Sequence, residues 1–191
     1  MCLLCIATFT VCGQQNKNDP NLIKKYNKAL KNYNRENDSL SNPAEFYYNR
    51  AGICEEYFDL TGAVANYTKV IDIYPDNSNA LYKRGMAKLS LSLLKEAVSD
   101  FDKVTDLDPE NIYAYNNRGI CKDYMLNFQG AIRDYSTAIV LDTNYAEAYN
   151  NRGISKIKMG QNDDGCDDLH TAMKLGDKQS ELNIRKLCDK K

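Results

Sequence analysis

Few residues in this sequence could do chemistry. His170 is the only histidine among 191 residues, so no second imidazole exists to share a metal. It falls on the outward side of an expected helix, where a solvated or partly packed ring is the reading, not a catalytic one. The run Asp163 to Asp168, DDGCDD, superficially resembles a cation site, but the spacing of a twelve-residue calcium loop is absent. It opens a helix instead, where carboxylates are favoured by the backbone dipole. No glycine-rich phosphate loop is present. Asn37-Asp38-Ser39 and Asn66-Tyr67-Thr68 are sugar acceptors only in a host that glycosylates. With no nucleophile, base or metal cluster to name, an enzyme acting alone is the least supported class, and neither cofactor nor metal is expected.

The chain has seven cysteines, and three of them, Cys2, Cys5 and Cys12, lie in the first thirteen residues, MCLLCIATFTVCG. That segment carries no charge and is too short to cross a bilayer as a helix. It reads as a signal peptide, residues 1–13, cleaved after Gly13 to leave a polar leader, residues 14–19. No Lys or Arg precedes the apolar run, which points to a start further upstream or a misassigned coding start. Two other readings exist: lipidation at Cys12, for which Phe9-Thr10-Val11 makes a poor signal, and an apolar terminus that frays or packs as a strand. Export by a bacterium, to the periplasm or beyond, is the expectation. Cys54, Cys121, Cys166 and Cys188 then remain, an even number that permits disulfides without requiring them.

Composition narrows the partners. The 25 basic and 26 acidic side chains leave a formal charge of -1, which disfavours nucleic acid. Apolar residues at 43% and charged ones at 27% are ordinary for a globular chain, so one folded domain is expected, residues 20–191.

The elements that must position these residues follow from a repeat. AYNNRGI occurs as Ala114 to Ile120 and again as Ala148 to Ile154. Arg50, Arg84, Arg118 and Arg152 stand in one column at intervals of thirty-four, followed by the small residues Ala51, Gly85, Gly119 and Gly153. Further columns hold Ala63, Ala97, Ala131 and Gly165; then Tyr67, Phe101, Tyr135 and Leu169; then Val70, Val104, Ala138 and Ala172; then Ile73, Leu107, Leu141 and Leu175. Each block carries two apolar stripes at helical spacing. In the first block the helices are expected at about Pro43 to Tyr57 and Thr61 to Ile73. Small residues let the paired backbones approach, and the sequences YPDN and DPEN stop the second helices.

These blocks resemble tetratricopeptide repeats, through Gly119, Ala131, Tyr135, Ala138 and Pro109 among others. Four units are placed at residues 44–77, 78–111, 112–145 and 146–179, with capping helices at 20–37 and 179–190. The family's early Trp is Tyr47, Leu81, Tyr115 or Tyr149 here, and its following Leu is the arginine of each unit. The resemblance implies an all-α, right-handed solenoid of helix-turn-helix units that binds proteins or peptides and is not catalytic.

Sixteen residues past Arg84, Arg118 and Arg152 stand Asp100, Asp134 and Asp168, and past Arg50 stands Asn66. Internal bracing by paired hydrogen bonds between helices is the reading, in preference to a ladder of ligand-binding arginines. Cys166 and Cys188 could face each other between the last second helix and the cap, where a bond would contribute roughly 3 kcal/mol by chain entropy. Cys54 and Cys121 are expected as buried thiols.

By family register, the first helices line a groove. The residues carried across are Tyr48, Asn49, Tyr82, Lys83, Met86, Tyr113, Asn116, Asn117, Ile120, Asp123, Tyr124, Glu147, Asn150, Asn151, Ile154, Ile157 and Lys158. The asparagines either hydrogen-bond an extended peptide or merely solvate a repeated helix face. Family co-chaperones grip a C-terminal carboxylate with a basic cluster. The matching places are Tyr48, Gly52, Lys83, Tyr113 and Asn117, or Tyr82, Met86, Asn117, Glu147 and Asn151, and neither frame has that cluster. Two rivals to a peptide-binding scaffold are a structural part of an envelope assembly and an accessory subunit of an enzyme complex.

Overall fold

The computed structural model describes residues 19–37 and 42–189. The expected signal peptide, all but the last residue of the polar leader, and the second and third residues of the Asn37 acceptor sequence lie outside the described residues. The described chain is helical throughout, with ten helices: α1 Pro20–Glu36, α2 Pro43–Glu56, α3 Leu60–Ile73, α4 Ser78–Ser90, α5 Leu94–Leu107, α6 Ile112–Tyr124, α7 Phe128–Leu141, α8 Ala146–Lys158, α9 Asn162–Lys174 and α10 Lys178–Leu187.

Short polar residues start these helices. Asn77 and Asn111 accept from the backbone N–H of Ala80 and Ala114, at 2.9 and 3.0 Å, so the asparagine that ends each YPDN or DPEN turn caps the next helix. Asp59 and Asn127 do the same for α3 and α7. The hairpin turns within each unit use one left-handed residue in the same column: Phe58, Ser92, Leu126 and Gly160, with φ of 61, 61, 60 and 81°. The next N–H reaches back to the carbonyl five residues earlier, as in Leu93 to Lys88 and Asn127 to Lys122, both 2.9 Å. This closes the free carbonyls of the preceding helix.

The helices form two compact units that divide within α5, one ending at residue 103 and one beginning at residue 104. In the first, α1 lies on α2, α2 on α3 and α3 on α4. Its core is Ala51, Ala63, Tyr67, Val70, Leu81, Ala97 and Phe101. α1 buries no residue fully. Its Tyr33 stacks on Phe46 at 5.4 Å and its Tyr26 meets Tyr57 at 5.6 Å.

In the second unit α6 packs on α7, α7 on α8, α8 on α9 and α9 on α10, while the first helices α6, α8 and α10 also touch in succession. Small residues set the approach. A Cβ on Gly119 would lie 2.6 Å from the Tyr135 ring, and one on Gly153 would lie 2.7 Å from the Gly165 carbonyl. A larger residue would have to displace the Tyr135 ring at the first position and backbone at the second.

Candidate functional site

The arginine column is satisfied from both sides. Arg84 donates from Nε and Nη2 to the two oxygens of Asp100, at 2.9 and 2.6 Å, and from Nη1 to the Thr68 hydroxyl at 3.2 Å. One side chain on α4 thus ties α3 to α5. Arg118 repeats the fork on Asp134 at 3.1 and 2.8 Å and reaches Thr105, and Arg152 repeats it on Asp168 at 2.8 and 2.7 Å and reaches Ser136. The three carboxylates are buried. The geometry is that of a brace, with no acid left for a ligand.

Each brace has a third member. Lys88, Lys122 and Lys156 bring Nζ to the same aspartates at 2.7, 2.6 and 2.8 Å. These lysines stand four residues past each arginine, one helical turn on, a column that could have been read from sequence. In the first repeat the two changes come together: Cys54 occupies the lysine place and Asn66 the aspartate place. The expected reach of Arg50 to Asn66 is not made. Asn66 donates to the Gly62 carbonyl at 2.8 Å and faces the Cys54 sulfur at 3.7 Å, and Arg50 Nε is buried without a hydrogen-bond partner. Asn66 is also buried, which rules it out as a sugar acceptor in the folded protein. Tyr26 bonds Asp59 at 2.5 Å and lies 3.4 Å from Cys54.

The groove residues separate into two sets. Asn116, Asn117, Ile120, Asn150 and Asn151 are buried, so the asparagines do not present free amides to a peptide. They bond across the first helices: Asn116 to Glu147 at 3.3 Å, Asn151 to Asn116 at 3.1 Å, Asn150 to Asn151 at 3.5 Å, and Asn183 of the cap to Asn150 at 2.7 Å. Asn117 Nδ2 turns back to the Tyr113 carbonyl at 2.9 Å. Burial between helices forces each amide to find a partner, which a neighbouring helix supplies for Asn116, Asn150 and Asn151 and the same helix supplies for Asn117. This is a correction to both expected roles, peptide contact and solvation.

The second set is accessible. In the unit beginning at residue 104, Tyr113 is exposed, while Tyr124, Glu147, Ile154 and Ile157 are half-buried. Lys158 is exposed and places Nζ 5.1 Å over the Phe128 ring. Asp123 accepts from Ser155 at 2.7 Å and Tyr135 at 3.1 Å. Desolvation pushes its carboxyl above the usual aspartate value, against the lowering effect of Ser155, Lys158 and Tyr135. In the other unit Asn49 and Lys83 are exposed, with Lys83 3.6 Å from Glu55. Tyr48, Tyr82 and Met86 are half-buried, the two tyrosines edge-on to Tyr67 and Phe101.

The remaining chemistry-bearing residues have structural positions. Asp163 and Asp164 lie in the first turn of α9. His170 is exposed, its Nδ1 2.8 Å from the Cys166 carbonyl. Cys166 and Cys188 form a disulfide with an S–S length of 2.03 Å. Cys54 and Cys121 are buried free thiols, and burial pushes the Cys121 thiol up to about 12. Among the described residues no three His, Cys, Asp or Glu side chains converge to hold a metal, and no helix is long and apolar enough to cross a membrane.

Solved structures share the helical fold. No curated protein matches the sequence. A solved structure described as MamA protein is 26% identical, with 71% of this chain and 74% of that chain covered at a TM-score of 0.68. YrrB, described as a TPR protein with an unusual peptide-binding site, is 20% identical over 94% of this chain and 98% of its own, with a TM-score of 0.73. The first TPR of Spaghetti (RPAP3), solved bound to the HSP90 peptide SRMEEVD, is 22% identical over 58% and 89%, with a TM-score of 0.56. The profile of the tetratricopeptide repeat matches residues 44–77 and 78–111, and that of the TPR repeat matches 127–160. The matched segments make up more than half of the sequence, and the chain belongs to the tetratricopeptide repeat family.

Proposed function

We propose that this protein is a non-catalytic scaffold that holds an extended segment of a partner protein along its first helices. The observation that carries the reading is the division on α6 and α8. Their inner faces are buried, with Asn116 and Asn151 bonded to each other, while Tyr113, Tyr124 and Ile154 keep accessible surface. Accessible aromatic and aliphatic groups suit a ligand that contributes its own apolar side chains. A peptide-binding site is named for YrrB, and a bound peptide for the first TPR of Spaghetti. An acidic tail like SRMEEVD is not the proposed ligand, because Asp123 and Glu147 are among the groove residues here and neither clamp frame, Tyr48, Gly52, Lys83, Tyr113 and Asn117 or Tyr82, Met86, Asn117, Glu147 and Asn151, holds a basic cluster.

We place the protein outside the cytosol, in the periplasm or beyond it. The Cys166–Cys188 disulfide supports this, since such bonds persist in oxidising compartments, and so does the apolar composition of residues 1–13.

Photo-crosslinkers placed at Tyr113 and Ile154 in living cells test the groove. A single covalent partner at both sites, absent from a crosslinker at Lys174 on α9, is the expected result. A structural role in an envelope assembly draws support from Val140 on α7, which is 79% exposed. Crosslinks concentrated at Val140 and Lys174 would replace the groove reading with that one. An accessory role in an enzyme complex predicts that the captured partner is itself an enzyme.

A further inference from the structure

The first repeat departs from the brace that the later repeats share. Arg84, Arg118 and Arg152 each set Nε and Nη2 against the two oxygens of a buried aspartate, and a lysine one turn on meets the same carboxylate. At the matching places for Arg50 stand Asn66 and Cys54. Arg50 Nε is buried without a hydrogen-bond partner, and among the described residues its guanidinium forms no ion pair with a carboxylate. The upstream half of the brace is also unmade. Thr68 and Ser136, each sixteen residues before its arginine, accept from Arg84 and Arg152 at 3.2 and 3.1 Å. Asn34 on α1 holds that column for Arg50, and its Oδ1 is buried and likewise without a partner.

The groups around Arg50 supply no counter-charge. Asn66 is a neutral amide, donating to the Gly62 carbonyl at 2.8 Å and facing the Cys54 sulfur at 3.7 Å. Burial holds the Cys54 thiol above its ordinary value, so it stays protonated and neutral. Asp59, the carboxylate of this cluster, is committed to capping α3 through the Gly62 N–H at 2.9 Å and to the Tyr26 hydroxyl at 2.5 Å. A guanidinium does not give up its proton to escape a partly buried place, so its charge stays. The later repeats show what completes the same side chain in the same column: a carboxylate that meets the fork with both oxygens. Arg50 as a whole is half-buried and keeps surface that solvent reaches.

We infer that Arg50 is a binding site for a carboxylate from outside this chain, which takes the place that Asp100 takes on Arg84. By register with Arg84, which reaches from α4 to α3 and α5, the fork of Arg50 on α2 is directed to α1 and α3. The inference does not depend on the groove reading, since Arg50, Asn34 and Asn66 are not among the groove residues. A planar carboxylate satisfies two N–H groups of the fork at once, whereas a spherical anion such as chloride does not match its geometry.

The full-length protein is titrated with sodium acetate at constant ionic strength in sodium chloride, while the Nε–H resonances of its arginines are followed. Arg50 is expected to shift saturably, and Arg84, Arg118 and Arg152, already on their aspartates, to stay in place. Asn66→Asp supplies the carboxylate of the later repeats. It is expected to move the Arg50 resonance without acetate and to weaken the acetate response at least about tenfold, the effect of a competing internal partner. A melting curve verifies that this variant folds. Arg50→Lys, read at the backbone amides of Cys54 and Asn66, is a second variant that keeps the charge and loses the fork, and is expected to weaken acetate roughly tenfold. An Arg50 resonance indifferent to acetate, equal movement of all the arginines, or an undiminished acetate response in both variants overturns the inference. N-acetyl-aspartate amide identifies the source. A shift of Arg50 with this probe as with acetate supports an acidic side chain of a partner protein, and a shift with acetate alone supports a small free acid.

Discussion

Arg118 donates charge-assisted hydrogen bonds to both oxygens of Asp134 and to Thr105, and its side chain is 15% exposed. Arg50 has the same place in the first repeat, yet its Nε has no partner. Removing one member of a buried, bonded pair leaves the other charge uncompensated, at a cost of about 3 kcal/mol. Arg118→Ala is therefore expected to lower stability by about that amount, slightly relieved because Lys122 still reaches Asp134, while Arg50→Ala costs under about 1 kcal/mol. Urea denaturation of the two variants checks this, and equal losses would mean the fork contributes nothing beyond its packing. Asp123 gives a second prediction. Its folded carboxyl titrates above the unfolded one because it is desolvated. The folded state therefore holds the proton more tightly, and stability from this group is present at low pH and lost as pH rises through the folded value. Relative to wild type, Asp123→Asn should gain stability at pH 7 compared with pH 3, measured by denaturation at both.

At the scale of elements, the turn inside each repeat asks for a left-handed residue, and only Gly160 meets that demand without strain. Leu126 meets it with a branched side chain at φ 60° that is 75% exposed. Leu126→Gly removes about 1–2 kcal/mol of left-handed strain against about 0.5–1 kcal/mol of added chain entropy, with almost no burial to lose. The melting temperature is expected to rise, and a fall would show that the leucine makes a contact worth more than its strain. The helices themselves were legible in the sequence, because the thirty-four-residue columns repeat small and large residues in phase. The arginine and aspartate columns were legible for the same reason. The asparagines were not. Asn116 and Asn151 find each other across thirty-five residues, and only the distance between neighbouring first helices decides whether an amide faces water, a peptide or another amide. The lysine column was present but silent, since a lysine on a helix reads as solvated until an acid is seen to be buried beside it.

For the whole molecule, the question is how far a disturbance near the C-terminal cap travels. The Cys166–Cys188 bond joins α9 to the last described helix and spans 22 residues of chain, which in the chain-entropy picture constrains the unfolded state by about 3 kcal/mol. Ser180 and Asn183 of α10 also bond Asn150, at 3.2 and 2.7 Å, so the cap retains polar attachments when the sulfurs part. Repeat stacks are held by nearest-neighbour contacts, and destabilising one end opens that end first. Reduction, or a Cys166→Ser and Cys188→Ser double variant, should then speed amide exchange in Lys178–Leu187 and next in α9, while amides in α3 and α4 keep their protection. Equal acceleration along the whole chain would instead mean that the repeats unfold as one cooperative block, and that the disulfide contributes to every helix.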